Sequence, residues 1–385
     1  MLHLYNSLSG RKEPFVPQSS PVTMYVCGVT PYDTTHAGHA FTYVVFDVLH
    51  RYLRYLGHAV RYVSNITDVD DSILERARQR KVDYRQLGEQ QTEQFLKDMA
   101  DLNVLAPDER PKASEEIPNM LDVVQRMLDR GAAYVVDGWV YFSVNAFPEY
   151  GQLGKLERDD MLRISAERGA DPNDPRKRDA LDFVLWQPPR DDEPSWPAPW
   201  GAGRPGWHLE CTAMSLRYLG ESIDVHGGGS DLIYPHHESE IAQSELYTGS
   251  KPFVRFWMHT GMVRLNGEKM SKSLGNLVLA RDLLRDFSAA AIRLYLLSFP
   301  YRAGWDFEYG ALPAYEELAK RWWAASAKAP SNGRLPDDDP FVTTLNDDLD
   351  TPAAVGQVRR QIELAEGEDR GAAERLAAYG AILGL

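Results

Sequence analysis

Between Met24 and Ile66 an apolar run, an amphipathic stretch and a second apolar run follow one another in close order, and this order constrains the fold most. "MYVCGV" (24–29) reads as a short buried strand bounded by Gly28 and Pro31. From 40 to 56, Val44, Val45, Val48, Leu49, Tyr52, Leu53 and Leu56 recur at helical spacing, and Gly57 stands where a C-terminal cap belongs. "AVRYVSNI" (59–66), β-branched and aromatic, reads as a second strand. So short a strand–helix–strand run predicts a βαβ unit in a parallel sheet, with ligands at the carboxyl ends of the strands. "HAGH" (36–39) falls at that end, beside the start of the helix.

A helix N-terminus presents unpaired N–H groups and the positive end of a dipole, which favours anions. Gly38 lets a ligand approach the backbone, and the imidazoles of His36 and His39 can donate to phosphoryl oxygens. Taken alone, the turn reads more readily as two partly exposed histidines at a cap, because so short a motif recurs by chance. "KMSKS" (269–273) is a second candidate: Lys269 and Lys272 lie in a small-residue loop after a strand, able to close over the β- and γ-phosphates of a nucleotide. Two loop lysines are ordinarily solvated surface, but the pairing with "HAGH" upstream is informative. Together these two stretches resemble the H-I-G-H and K-M-S-K-S signatures of class I aminoacyl-tRNA synthetases, with Ala37 in place of Ile.

A third constellation has the character of a metal site. Cys27, Cys211, His236 and Glu240 make a borderline-soft ligand set suited to Zn²⁺. In "YPHHESEIAQSELY", His236 and Glu240 are four residues apart, so one helix face carries both. Cys27 immediately precedes the phosphate turn, so a metal there stands beside the reacting groups. The competing reading is a packed cysteine and a surface His/Glu pair. With "GWHLEC" (206–211) and "HGGGSDLIYPHHESEIAQSE" (226–245), these residues resemble cysteinyl-tRNA synthetase, each motif in family order from about Met24 to the helical tail.

That resemblance implies a class I synthetase-type α/β fold: a Rossmann parallel sheet with an insertion, followed by a helical C-terminal region. It implies that zinc held by Cys27, Cys211, His236 and Glu240 binds the thiolate of L-cysteine; a zinc–thiolate contact separates cysteine from serine better than shape does. It implies an amino-acid pocket of Thr67, Trp207 and Asp231, ATP-phosphate histidines His36 and His39, and pyrophosphate lysines Lys269 and Lys272, with Mg²⁺ accompanying ATP. His226, Gly227, Gly228 and Gly229 are expected at the nucleotide, the glycines permitting close backbone approach. His208 and His237 neighbour proposed ligands and are expected to support them.

The remaining organisation follows from composition. Residues 72–132 read as helices, "AAYVVDGWVYFSV" (132–144) as a hairpin turning at Asp137-Gly138, and 155–206 as a polar, irregular excursion ending in a Pro/Gly/Trp-rich stretch. Strand patterns return at 222–229 and 253–263, helices from about 280, and a linker at 328–340 precedes a short helical tail. The expected units are 1–115 and 206–279 (two halves of the catalytic domain), 116–205 (insertion), 280–327 (helical region) and 328–385 (linker and tail). No run of about 18 uncharged apolar residues or signal peptide is present, so a cytoplasmic chain off the membrane is expected. Two cysteines among 385 residues exclude a disulfide scaffold, and a formal charge of −14 with no Lys/Arg block counts against a broad nucleic-acid surface. A monomer is expected.

The first half-reaction expected is cysteinyl-adenylate formation from cysteine and ATP. For the acceptor, about 45 residues after the linker leave little for an anticodon-binding domain. "MLRISAERGADPNDPRKRDALDFVLW" (161–186) and "DDLDTPAAV" resemble the mycothiol ligase branch of the family, which implies the amine of an amino-sugar–inositol as acceptor. Glu240, His226 and "SEIAQSE" resemble the tRNA branch, so tRNA-Cys is the alternative acceptor. A nucleotidylyltransferase also uses an H-x-G-H turn but accounts for neither "KMSKS" nor the four ligands. A non-catalytic paralogue that binds cysteine or a partner is the reading from outside enzymology.

Overall fold

The computed structural model describes residues 1–32, 35–190, 192–270, 275–327 and 334–385. At its centre four strands run parallel in the order Val254–Thr260, Ile223–Gly229, Val22–Val26, Val60–Val63. The expected βαβ unit forms its right half. The helix Ala37–Tyr55 connects Val22–Val26 to Val60–Val63, ending at Leu56 and Gly57, whose φ is +94°. Every residue of Val22–Val26 is buried. This is why the run is apolar throughout and not alternating: a parallel strand is covered on both faces. The helix is covered almost all round as well, with Phe41, Val44, Val48, Leu49, Tyr52 and Leu53 all inaccessible. Each such side chain contributes about 1.5–3 kcal/mol of burial, which fixes the helix axis against the sheet.

The middle of the chain builds a separate four-stranded antiparallel sheet: Ala133–Val136, Trp139–Phe142, Phe183–Gln187 and Arg204–Pro205. The Asp137-Gly138 turn is as expected, both residues lying at positive φ, +51° and +80°. The reading of 155–206 as irregular needs correction. It contains the helix Arg158–Glu167 and two strands of this sheet. Phe183–Gln187 takes its register from Trp139–Phe142, about 45 residues upstream, and Arg204–Pro205 takes its own from Phe183–Gln187, partners that no local pattern reveals.

Residues 253–263 also differ from the single strand expected. Val254–Thr260 joins the central sheet, while Val263–Leu265 starts a second small sheet with Glu268–Lys269 and Trp305–Asp306. Gly261 makes the break. A Cβ there would stand 2.0 Å from the carbonyl oxygen of Ala303, so only glycine lets the two segments meet. Helices Ala280–Asp286, Ala289–Leu296 and Leu312–Ser326 follow, then Pro340–Asn346, Thr351–Glu366 and Arg370–Leu383. Residues 328–333 of the expected linker lie outside the described residues. Among the described residues, no helix is long and apolar enough to cross a membrane.

A buried charge cluster ties these helices to the βαβ unit of the central sheet. Arg293 and Asp47, both with wholly inaccessible side chains, form an ion pair between Ala289–Leu296 and Ala37–Tyr55. Arg293 also donates to the carbonyls of Leu383 and Leu102, at 2.8 and 3.1 Å. One guanidinium therefore fastens the last helix, a loop after the helix Tyr84–Asp101 and the βαβ helix together.

Candidate active site

The carboxyl ends of the central strands open into a cleft of about 390 Å³. One side of it is built by Ala37–Tyr55. His36 is its N-cap, and its Nδ1 accepts from the Gly38 N–H at 3.0 Å. The His36 and His39 rings stack at 3.9 Å between centroids. Both histidines and Gly38 line the cleft. A Cβ at Gly38 would lie 2.9 Å from the His36 ring, so glycine permits this side-chain cap. Thr42, one turn on, bonds Thr260 at 2.7 Å and locks the helix start to the end of a central strand. The result is a 19-residue helix with its positive end aimed into a cleft.

Across the cleft stands Lys269, whose Nζ is 3.8 Å from Asp231 Oδ2. Lys272 lies outside the described residues.

On the floor, Cys27 follows directly after its strand. Its N–H donates to the Gly227 carbonyl (2.9 Å), and Tyr43 Oη donates to the Cys27 carbonyl (3.1 Å). The next N–H, of Gly28, donates to Asn65 Oδ1 at 2.8 Å. A Cβ on Gly28 would sit 1.6 Å from the Asn65 carbonyl oxygen, so the turn after Cys27 requires glycine.

Cys27, His236, His237 and Glu240 offer donor atoms that all lie within 4.8 Å of one another, and all four residues are buried. Cys27 Sγ is 3.2 Å from His237 Nε2 and 3.6 Å from Glu240 Oε1, and His236 Nε2 is 3.1 Å from the same oxygen. Cys211 Sγ is 3.8 Å from Cys27 Sγ. Donor atoms bound tetrahedrally to one zinc ion are about 3.3–3.8 Å apart, given bonds of about 2.0–2.3 Å. The spacing and the S, N and O donor set therefore fit zinc. So does Glu240 Oε2, a buried oxygen that accepts no hydrogen bond among the described residues. Burial pushes the Cys27 thiol and the Glu240 carboxyl up and the three imidazoles of His226, His236 and His237 down. An unmetallated cluster is thus held neutral, and a cation would draw the proton from the thiol.

Cys27, His236 and Glu240 come together. Cys211 stands beside Cys27, outside the tightest set of four, and His237 takes a place in that set. The adjacent histidines in "YPHHES" were the signal: the kinked turn Ile233–His237 turns both rings to the same side as Glu240, on the following helix Glu238–Thr248. His237 is in turn oriented by His259 (Nδ1 to Nε2, 2.8 Å), itself bonded to Ser7 at 2.8 Å. His208 supports His236 through a 3.0 Å contact between Nδ1 atoms.

Trp207 and Asp231 line the cleft, Trp207 stacking on the His236 ring at 4.3 Å. Thr67 is buried, accepting from Asn65 Nδ2 at 3.0 Å, and is not part of the cleft wall. Of the expected nucleotide residues, Gly229 lines the cleft, whereas His226, Gly227 and Gly228 do not. His226 is wholly inaccessible, stacked on Trp257 at 4.5 Å and 3.5 Å from Cys27 Sγ, so it belongs under the ligand cluster. Gly227 is small for packing: its Cβ would be 2.0 Å from the Phe46 ring. Sequence reasoning passed over Arg168, which reaches the cleft wall from the insertion and bonds Asp231.

Comparison with known proteins agrees with this geometry. The family described as tRNA synthetases class I (C) catalytic domain matches residues 15–316. The cysteine--tRNA ligase of Alkalilimnicola ehrlichii is 45% identical over 408 residues, covering 100% of this chain and 86% of its own length. That of Dehalococcoides mccartyi is 44% identical over 382 residues, covering 95% and 82%. The chain belongs to the cysteinyl-tRNA synthetase family. It is accordingly an ATP-dependent ligase. Solved structures of other specificities share the fold alone. Mycobacterium tuberculosis methionyl-tRNA synthetase bound by methionyl-adenylate has a TM-score of 0.63 at 16% identity, covering 94% of this chain and 89% of that one. The ternary complex of Agrobacterium radiobacter agnB2 LeuRS, tRNA and LeuAMS has a TM-score of 0.64 at 12% identity, covering 96% and 83%.

Proposed function

We propose that this chain activates L-cysteine with ATP and transfers the cysteinyl group to tRNA-Cys. The observation that carries the reading is a buried thiol–imidazole–carboxyl cluster opening, through Cys27, onto the same cleft as a histidine-capped helix N-terminus. The cysteine carboxylate attacks the α-phosphorus of ATP, the bond to pyrophosphate breaks, and cysteinyl-adenylate forms. A ribose hydroxyl of the tRNA then attacks the activated carbonyl, forming an ester and releasing AMP. Catalysis is positioning and charge stabilisation: His36 and His39 with the helix end meet the phosphates, and Lys269 and Lys272 meet the departing pyrophosphate with Mg²⁺.

Cys27, His236 and Glu240 would hold zinc, with His237 and Cys211 in reach of the same centre. Zinc there supplies a Lewis acid that prefers a thiolate to a hydroxyl. The protein's own part is to keep that centre dry under Trp207 and to hold its imidazoles through His208 and His259.

The names of the relatives support tRNA as the acceptor: those at 42–45% identity are called cysteine--tRNA ligase. The amino-sugar–inositol amine has in its favour the resemblance of 161–186 and "DDLDTPAAV" to the mycothiol ligase branch and the short tail expected after the linker. Labelled cysteine, ATP and either tRNA-Cys or glucosaminyl-inositol decide between them. Ester product on tRNA is expected, and an amide on the amino-sugar alone would overturn this acceptor.

A further inference from the structure

The insertion grips the segment that carries the metal-competent turn at four polar points. The Leu153 and Gly154 N–H groups donate to Glu238 Oε2 at 2.9 and 2.8 Å. Tyr150 bonds Ser239 and Ser165 bonds Tyr234, each at 3.0 Å. None of the residues in these three grips lines the cleft. The fourth is Arg168, just past the helix Arg158–Glu167, and among the described residues of these grips on the insertion side it alone lines the cleft.

Arg168 holds Asp231 twice: Nη2 is 3.3 Å from the Asp231 carbonyl oxygen and 3.2 Å from Oδ2. Bridging main chain and side chain of one residue fixes that side chain's rotamer. Both side chains keep 31% of their surface exposed, so the pair adds little to stability. Its geometric consequence is larger. Oδ2 takes Arg168 and Lys269, while Oδ1 accepts no hydrogen bond among the described residues. Oδ1 lies over Gly229, where a Cβ would be only 2.7 Å away, so the absent side chain leaves that oxygen open to the cleft.

We infer that Arg168 is a positioning residue for amino-acid selection: it sets the Asp231 carboxylate so that the free oxygen receives the substrate's α-ammonium group. This rests on the amino-acid-activating reading above. An ammonium offers three donors and seeks an anionic acceptor already oriented, because orientation lost on binding weakens affinity. The insertion thereby contributes to recognition by the catalytic domain without touching the substrate itself.

The test compares cysteine with 3-mercaptopropionate, which has the thiol and carboxylate but no ammonium. Binding of each to wild type, R168Q, R168K, D231N and R168Q/D231N is measured by calorimetry, with melting temperatures alongside. R168Q should weaken cysteine about tenfold, the scale of one charge-assisted hydrogen bond. It should leave 3-mercaptopropionate, the apparent affinity for ATP and the melting temperature essentially unchanged. R168K should recover much of the loss, and R168Q/D231N should bind no worse than D231N. Equal loss for both ligands, a loss confined to ATP, a lowered melting temperature or full additivity would each overturn the role. Should wild type select another amino acid, the functional reading falls, and the same comparison with that amino acid and its des-amino analogue still decides for Arg168.

Discussion

The Asp47–Arg293 pair makes a stability claim that can be worked from its contacts. Asp47 Oδ2 accepts from Arg293 and, at 2.8 Å, from Arg51, while Oδ1 accepts from the Leu105 N–H at 2.9 Å. The Arg51 side chain is 15% exposed and can rehydrate; Arg293 is wholly inaccessible. Asp47→Asn therefore strands a buried guanidinium with no counter-ion, at a cost of about 3–5 kcal/mol. Arg293→Met leaves Asp47 its bonds to Arg51 and Leu105. It removes the partner of the Leu383 and Leu102 carbonyls at about 1–2 kcal/mol each, partly offset by about 1.5–3 kcal/mol from burying methionine. The expected order is that Asp47→Asn is the more damaging, and that adding Arg293→Met to it restores stability because the stranded charge goes. Urea unfolding of the two single variants and the double variant measures this. If Arg293→Met is the worse single change, or the double variant falls below Asp47→Asn, the stranded-charge reasoning is wrong.

Four further outcomes are expected. The purified chain should carry one zinc per chain by elemental analysis, and a thiol reagent should label Cys27 and Cys211 only after chelation, since both are buried; labelling at native rates without chelator would remove the cluster from consideration. His36→Ala and His39→Ala should each slow cysteine-dependent ATP–pyrophosphate exchange about 100-fold, mainly in kcat, the scale of removing one donor aimed at developing charge. Gly227→Ala, with its Cβ 2.0 Å from the Phe46 ring, should cost about 1–3 kcal/mol in chemical unfolding, whereas Gly28→Ala, 1.6 Å from a backbone oxygen, should also abolish metal retention. Asp174 feels burial that pushes its pKa up, but bonds from Arg176 and Tyr141 outweigh it and hold it at about 2. A depressed carboxylate stabilises above its unfolded pKa of about 3.9 and loses that contribution as pH falls towards 2. The melting-temperature gap between wild type and Asp174→Asn should accordingly be constant above pH 5 and close below pH 4.

The sequence by itself determined the βαβ unit, because a buried parallel strand and a helix with a wide apolar face leave local periodicities that neighbours cannot disguise. It also determined the chemistry on offer: a histidine pair at a helix start, a lysine loop, and thiol, imidazole and carboxyl donors suited to a borderline-soft metal. What it did not contain was which of those groups meet. His237 enters the donor cluster because the kink at Ile233–His237 turns two neighbouring rings inward. His226 leaves the nucleotide site because its strand is central and its ring faces Trp257. Gly227 is read correctly only once Phe46 is seen above it, and Arg168 only once the insertion folds back on Asp231. The pairings of His226 with Trp257, Gly227 with Phe46 and Arg168 with Asp231 join residues 31 to 181 positions apart. Periodicity reports one element's face towards its surroundings, whereas the identity of the group across from that face is set by how separate elements pack, and only the tertiary structure holds that information.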